Sequence, residues 1–231
     1  MFFLFGCAPK PVQSDPQIHM VLQDLFEAHI MAIGGRQSFL EKKNLFLQGK
    51  IQSQASPIPL RFRTSKIAPS HIKVIIENAS GQLVERGFDG SQAWENQRIL
   101  GEEEKKRIER NSDFYFPLTY KDWYPESFHM SEAQFAGRPC TVILTKNRYK
   151  DWEELYFDKE SKLLLGHATW KEEGETKHWY RYGHYTLIGG TKHPFTIEER
   201  KGAMHKVILI EFIRWNELID TIEAPKESSA P

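Results

Sequence analysis

The sequence predicts one α+β domain dominated by strands: a large, strongly curved antiparallel sheet packed on an N-terminal helix. Apolar residues repeat at clear helical spacing near the N-terminus. From residue 44 onward, β-branched and aromatic residues dominate, and turn residues recur about every ten positions. No linker divides the 231 residues, a length that single β-rich domains reach.

The composition excludes several classes of protein. Hydrophobic residues make up 40% of the chain, which is enough to bury a core. Lys and Arg total 31 and Asp and Glu total 31, so the basic field of a dominant nucleic-acid binder is missing. The two cysteines, Cys7 and Cys140, are too few for a disulfide framework. No apolar run is long enough to predict a membrane-spanning helix.

The first 16 residues are interpreted as a signal remnant and lipoprotein tether. Four apolar residues precede Gly6-Cys7, which resembles the end of a bacterial lipoprotein signal. The apolar stretch is short and lacks a basic segment before it, so we expect the true start to lie upstream. Cys7 would then carry acyl chains such as palmitate and anchor a periplasmic domain to the outer membrane. The alternative is a cytosolic chain with an apolar tail.

The N-terminal helix has clear start and stop signals. Asp15 or Ser14 can cap it, Pro16 suits the first helical position, and Gly34-Gly35 ends it. Its apolar face is continuous over four turns and needs a large apolar partner. That face comprises Ile18, Val21, Leu22, Leu25, Phe26, Ile30 and Ile33. A short second helix is predicted over residues 36–43.

About eleven or twelve strands are predicted, and residues 60–63 alternate as a sheet with one wet face does. The predicted strands are 45–51, 60–63, 71–76, 82–88, 93–95, 127–135, 138–146, 152–158, 162–172, 176–188, 193–200 and 204–216. The domain proper is predicted to span residues 17–222. The polar tail 223–231 is predicted to be disordered.

Residues 102–125 interrupt the strands. Glu102–Lys106 and Glu103–Arg107 lie one turn apart, which predicts a solvated helix over 102–110. The aromatic residues that follow predict short helical turns crossing one end of the sheet as a lid. Phe114, Phe116 and Trp123 are expected near a cavity mouth, the alternative being that they simply cap the core.

A sheet of this size must curl, because the twist accumulates from strand to strand. One helix and the aromatic segment can fill the concave side only in part, which predicts an apolar ligand cavity. Strand alternation does not tell which face points inward. The predicted lining residues are Leu22, Phe26, Leu60, Phe62, Ile72, Val74, Trp94, Phe114, Phe116, Trp123, Ile143, Tyr156 and Leu164.

Six motifs occur in a characteristic order. They are Ile33-Gly34-Gly35-Arg36, Arg86 to Trp94, Asp113-Phe114-Tyr115, Gly137 to Val142, Leu155 to Leu163 and Lys192-His193-Pro194-Phe195. Together they resemble the LolA/LolB-like, outer membrane lipoprotein-sorting family over roughly residues 17–216. The resemblance implies an unclosed antiparallel barrel with helices as a lid, and a carrier or receptor for acylated lipoproteins or lipids.

No catalytic or metal motif stands out, and we predict neither an enzyme nor a cofactor or metal site. His178 and His184 would lie about 20 Å apart on one strand, too far to share an ion. Glu153 and Glu154 point to opposite faces, and Cys140 is interpreted as a small buried hydrophobe. The sequence therefore favours a monomeric binding protein. The alternative is an envelope scaffold whose own side chains fill the cavity.

Overall fold

The computed structural model of the chain describes residues 13–78 and 80–225. The helices are α1 (Pro16–Ala32), α2 (Gly35–Leu40), α3 (Glu102–Ser112) and α4 (Tyr120–Trp123). The strands are β1 (Asn44–Ser53), β2 (Ser56–Ile67), β3 (His71–Glu77), β4 (Leu83–Asp89), β5 (Ala93–Glu95), β6 (Arg98–Ile99), β7 (Glu126–Phe135), β8 (Arg138–Lys146), β9 (Trp152–Asp158), β10 (Leu164–Trp170), β11 (His178–Ile188), β12 (Thr191–Lys201) and β13 (Met204–Trp215).

All thirteen strands form one antiparallel sheet in the order β6-β5-β4-β3-β2-β1-β13-β12-β11-β10-β9-β8-β7. The outermost strands, β6 and β7, do not pair with each other, so the barrel is unclosed, which confirms the predicted fold class. The strand beyond the predicted twelve is β6, whose two residues are too few to leave a periodic signal.

Strand β2 extends beyond the predicted residues 60–63 at both ends and includes Pro57 and Pro59. Both lie at the start of β2, before its pairing with β3 begins at Arg61. A proline lacks the backbone N–H that would donate to a neighbouring strand. Where no strand lies on one side, no inter-strand hydrogen bond is lost there. The prolines are therefore compatible with a strand at this end of the sheet.

Helix α1 begins and ends where the sequence predicts. The Asp15 side chain accepts a hydrogen bond from the backbone N–H of Gln17, and Pro16 occupies the first turn. At the other end, Gly34 has φ of 124°, and a Cβ there would lie 2.1 Å from the carbonyl oxygen of Gly190. Gly34 and Gly190 thus meet, and the α1–α2 corner docks on the β11–β12 turn.

Helix α3 spans the open side of the barrel. Its Ile108 packs on the cluster formed by β3, β4 and β5, while Arg107 and Arg110 reach β12 and β9. The prediction of a wholly solvated helix is therefore wrong. The ion pairs on its outer surface are Glu102–Lys105 and Glu103–Lys106, three residues apart rather than the predicted four. We call the face of the sheet that packs against α1 and α3 the concave face.

The C-terminal segment continues in contact with the sheet beyond the predicted domain end. Ile222 is buried, and the backbone N–H of Ala224 donates to the Asp89 carboxylate at 3.3 Å. The prediction of disorder is wrong for residues 223–225. Residues 226–231 and the predicted lipidation site Cys7 lie outside the described residues. Across 13–78 and 80–225, none of the helices has the length and hydrophobicity needed to cross a bilayer.

Candidate ligand-binding site

The concave face of the central strands carries two neighbouring rows of apolar side chains. Directly paired residues of antiparallel strands place their side chains on the same face. Leu60 pairs with Ile51, Ile51 with Ile208, and Ile208 with Ile197, so the first row crosses β2, β1, β13 and β12. All four side chains are partly exposed.

The second row lies one step further along the strands. Val84 pairs with Ile76, Ile76 with Phe62, and Phe62 with Gly49, which in turn pairs with Ile210. Phe62 and Gly49 are buried and the other three are partly exposed; the Phe62 ring lies over Gly49, where a Cβ would approach it to 2.9 Å. We call these two rows together the apolar trough.

The aliphatic side chains of the trough lie outside the packed core. None of Leu60, Ile51, Ile76 or Val84 belongs to the four buried clusters among the described residues. Partly exposed aliphatic side chains in a contiguous concave patch are unusual for a monomer surface and mark binding sites. The trough is therefore the part of the concave side that residues 13–78 and 80–225 leave in contact with water.

The neighbouring half of the concave side, under α1, is filled by the protein itself. Leu22, Phe26 and Ile30 of α1 are fully buried. Phe26 stacks on Tyr120 of α4 at 4.5 Å between ring centroids and meets Phe157 of β9 edge to face. Such packing leaves no space for a ligand between α1 and the sheet.

The structure distributes the predicted lining residues of the concave side over four places. Leu60 and Phe62 lie in the trough, and Ile72 and Val74 lie beside it, packed in the cluster that includes Ile108 of α3. Phe114 is buried against β1 and β13. The remaining concave residues belong to the filled half under α1, namely Leu22, Phe26, Phe116, Trp123, Ile143 and Leu164. The aromatic segment 113–124 thus caps the core, as the alternative interpretation held.

Two predicted lining residues lie on the opposite, convex face, so their assignment to the cavity is wrong. Trp94 pairs with Gly87, whose neighbour Phe88 faces α3. The Trp94 ring occupies the space that a side chain at Gly87 would need, 2.2 Å from an added Cβ. Tyr156 packs on the convex side against Phe135, with ring centroids 4.3 Å apart.

A buried ion pair holds α3 to the barrel. The Glu153 side chain is 0% exposed, and its carboxylate accepts hydrogen bonds from both terminal nitrogens of Arg110, from the Tyr124 hydroxyl at 3.1 Å and from the Asn147 amide at 2.7 Å. Burial pushes the pKa of Glu153 upward, but Arg110 and these hydrogen bonds outweigh it, and the net shift is downward.

A second buried acid receives the other arginine. Glu199 accepts from Arg107 at 3.2 Å and contacts the His178 ring nitrogen at 2.8 Å. Sequence reasoning missed both acids. Strand periodicity contained part of the signal, because Glu153 shares the inward face of β9 with the apolar residues Leu155 and Phe157.

Other features of the surface do not compete with the trough as apolar sites. A groove of about 630 Å³ on the convex side combines the aromatic rings of Phe135, Trp179 and Tyr180 with four charged side chains, and a cleft of about 230 Å³ beside α3 is lined mostly by charged and polar residues. Cys140 is buried as predicted, and burial raises the pKa of its thiol. No three His, Cys, Asp or Glu side chains within 13–78 and 80–225 group as metal ligands would.

Several solved structures share this architecture. A LolA superfamily protein from Nitrosomonas europaea superimposes with a TM-score of 0.61 at 14% identity, covering 87% of this chain and 96% of that one. A DUF1329 family protein from Desulfovibrio piger gives 0.59 at 9% identity, covering 86% and 94%. A structure assigned to an outer membrane lipoprotein-sorting protein domain, from Vibrio parahaemolyticus, gives 0.57 at 8% identity, covering 85% and 93%.

These likenesses establish the fold. No protein-family model matches the chain, and no curated protein matches its sequence. The chain therefore has the LolA-like open-barrel fold, and the resemblance seen in its sequence is confirmed at that level.

Proposed function

We propose that this LolA/LolB-like open barrel binds the hydrocarbon chain of a lipid or an acylated lipoprotein in the apolar trough, as a carrier or receptor rather than an enzyme. The observation that carries the proposal is the pair of uninterrupted apolar rows on the concave face. Each CH₂ group moved from water onto such a surface contributes about 0.8 kcal/mol, so an acyl chain supplies enough to offset the cost of ordering it.

The cellular setting that fits this function is the bacterial envelope. An acylated Cys7 would tether the domain to the outer membrane on the periplasmic side, where lipids and lipoproteins arrive. One of the structural neighbours is assigned to lipoprotein sorting, which agrees with such a setting.

The filled half of the barrel favours a second candidate, a scaffold or protein-interaction module. Phe26 and its aromatic neighbours show that this chain can fill concave space with its own side chains. Exposed apolar rows can accept either a lipid chain or a partner protein, so the binding of a small apolar ligand is the measurement that distinguishes the two functions.

Adjacent isoleucines on β3 provide a matched test. Ile76 lies in the trough and Ile75 lies on the convex face, and both are partly exposed. We expect Ile76→Gln to weaken binding of the neutral fluorophore N-phenyl-1-naphthylamine about tenfold, because the contact of one aliphatic side chain contributes about 1.5 kcal/mol. Ile75→Gln should leave binding unchanged. Fluorescence titration measures both.

Two results would count against the proposal. If the wild-type protein does not bind the fluorophore, or if Ile75→Gln and Ile76→Gln lose affinity equally, the trough is not the binding site and the scaffold function is favoured.

A further inference from the structure

Lys66 is a cation on the concave face whose amine pairs with none of the described residues. It pairs in register with Leu45 on one side and Ile72 on the other, so it shares their face. Both neighbours are buried in apolar clusters. Within residues 13–78 and 80–225, the Lys66 amine forms no ion pair and no hydrogen bond.

The nearest acid is already occupied. One carboxylate oxygen of Asp113 accepts from the backbone N–H groups of Tyr115 and Phe116, at 3.0 and 3.1 Å. The other accepts from the Thr119 hydroxyl and, at 2.6 Å, from the Trp123 indole. With four donors satisfied within its own segment, Asp113 attracts Lys66 from a distance without pairing with it.

The surroundings of Lys66 carry an excess of positive charge. Lys42 lies in the same region, where its amine donates to the carbonyl oxygens of Ser38 and Gly189. Burial, together with Lys42 and Lys66, lowers the pKa of His193 to about 4, so this histidine is neutral at pH 7. Burial lowers the pKa of Lys66 to about 8, at which the amine is still mostly protonated in a neutral solution.

The position of Lys66 relative to the trough matters for a ligand. Lys66 lies six positions along β2 from Leu60, which belongs to the first row of the trough. At about 3.3 Å per residue, the two are about 20 Å apart. The residues of β2 between them on the same face are Thr64 and Phe62. Thr64 also has no hydrogen-bond partner among the described side chains and could donate its hydroxyl beside the amine.

We propose that Lys66, assisted by Thr64, binds the anionic group of an acidic amphiphile whose hydrocarbon chain lies along the apolar trough. The inference rests on the proposed function and narrows it to ligands that carry a carboxylate or a phosphate. The Lys66 side chain is partly exposed between apolar neighbours, so an anionic ligand can reach the amine and supply the opposite charge and the acceptors that the described residues do not provide.

Three single-chain lipids with one chain length test the inference. Hexadecanoate, 1-hexadecanoyl lysophosphatidate and the neutral hexadecan-1-ol each displace N-phenyl-1-naphthylamine from the full chain. We expect the two anions to bind about tenfold more tightly than the alcohol, the effect of one charge-assisted hydrogen bond. The ratio of the dissociation constants of the two anions shows which headgroup, carboxylate or phosphate, the protein prefers.

Variants at Lys66 assign the difference to this side chain. Lys66→Met should weaken both anions about tenfold and leave hexadecan-1-ol and the fluorophore unchanged, whereas Lys66→Arg should retain the preference. Lys73→Met, on the convex face of β3, is the matched control. Removing an unpaired cation should not lower the melting temperature, which circular dichroism checks.

The outcomes separate the two proposals. Equal affinity for anions and alcohol, or equal effects of Lys66→Met and Lys73→Met, overturns the Lys66 assignment and leaves the proposed function standing. Failure of all three lipids and the fluorophore to bind overturns both.

Discussion

Removing Arg110 should destabilise the fold strongly, because it would leave the buried carboxylate of Glu153 without its counter-charge. The Glu153 side chain is 0% exposed and Arg110 is 24% exposed. In Arg110→Met, Glu153 keeps only the hydrogen bonds from Tyr124 and Asn147. Losing one partner of a buried ion pair costs about 3–5 kcal/mol. We therefore expect Arg110→Met to lower the free energy of unfolding by about that amount.

The neighbouring acid on the same strand supplies the control. Glu154 lies on the convex face and pairs with Lys177 at 2.7 Å, where both side chains remain in contact with water. A surface pair of this kind contributes about 0–1 kcal/mol. In urea unfolding, Lys177→Met should therefore lose several times less free energy of unfolding than Arg110→Met.

A double variant and the pH dependence of stability show whether Arg110 stabilises the fold through its charge or through the packing of its side chain. Arg110→Met combined with Glu153→Gln should be less destabilised than Arg110→Met alone, because no unpaired charge remains. Without Arg110, burial raises the pKa of Glu153 above its unfolded value, so the stability that Arg110→Met has lost relative to the wild-type protein should shrink as the pH falls from 7 to 5. If Arg110→Met and Lys177→Met lower the free energy of unfolding equally, the Arg110–Glu153 pair does not hold α3 and the reasoning is refuted.

Two further changes have definite outcomes. Burial lowers the pKa of His29 to about 4, so the unfolded state takes up the proton first as the pH falls below about 6.5. Stability should then drop by up to about 3 kcal/mol between pH 6.5 and 4. His29→Asn should flatten that dependence in urea titrations, and an unchanged slope would exclude His29 as its source. In cells that express the native gene, an alkynyl analogue of palmitate should label the protein, and Cys7→Ser should abolish the label. Equal labelling of both forms would contradict acylation at Cys7.

Local signals predicted the helix and the turns because they reside in neighbouring residues. Asp15 and Pro16 mark the start of α1, and Gly34 marks its end through a backbone conformation that few other residues adopt. Strand alternation likewise separated Phe62 from its neighbours Arg61 and Arg63, which lie on the exposed face. Each of these features depends on contacts within a few residues.

The parts that could not be predicted depend on pairing between distant segments. The trough exists because Ile51 of β1 pairs with Ile208 of β13, which lies far away in sequence. Strand alternation divides the residues of β5 and β9 between two faces but does not show which face is concave. Trp94 and Tyr156 were therefore predicted on the concave face, whereas they lie on the convex one. Lys66 lies beyond the predicted end of its strand at residue 63, so strand alternation did not assign it to a face.

Helices α1 and α3 are attached to the concave side by different forces. Helix α1 is fixed by fully buried side chains such as Phe26, whose exposure to water would remove all of its apolar contacts. Helix α3 is attached by Ile108 and by ion pairs, among them those of Arg107 and Arg110 with buried acids. Because separating Arg110 from Glu153 would leave a buried carboxylate without its counter-charge, the ion pair holds α3 firmly to β9. Both helices therefore support the curvature of the sheet, and the apolar trough lies open beside them.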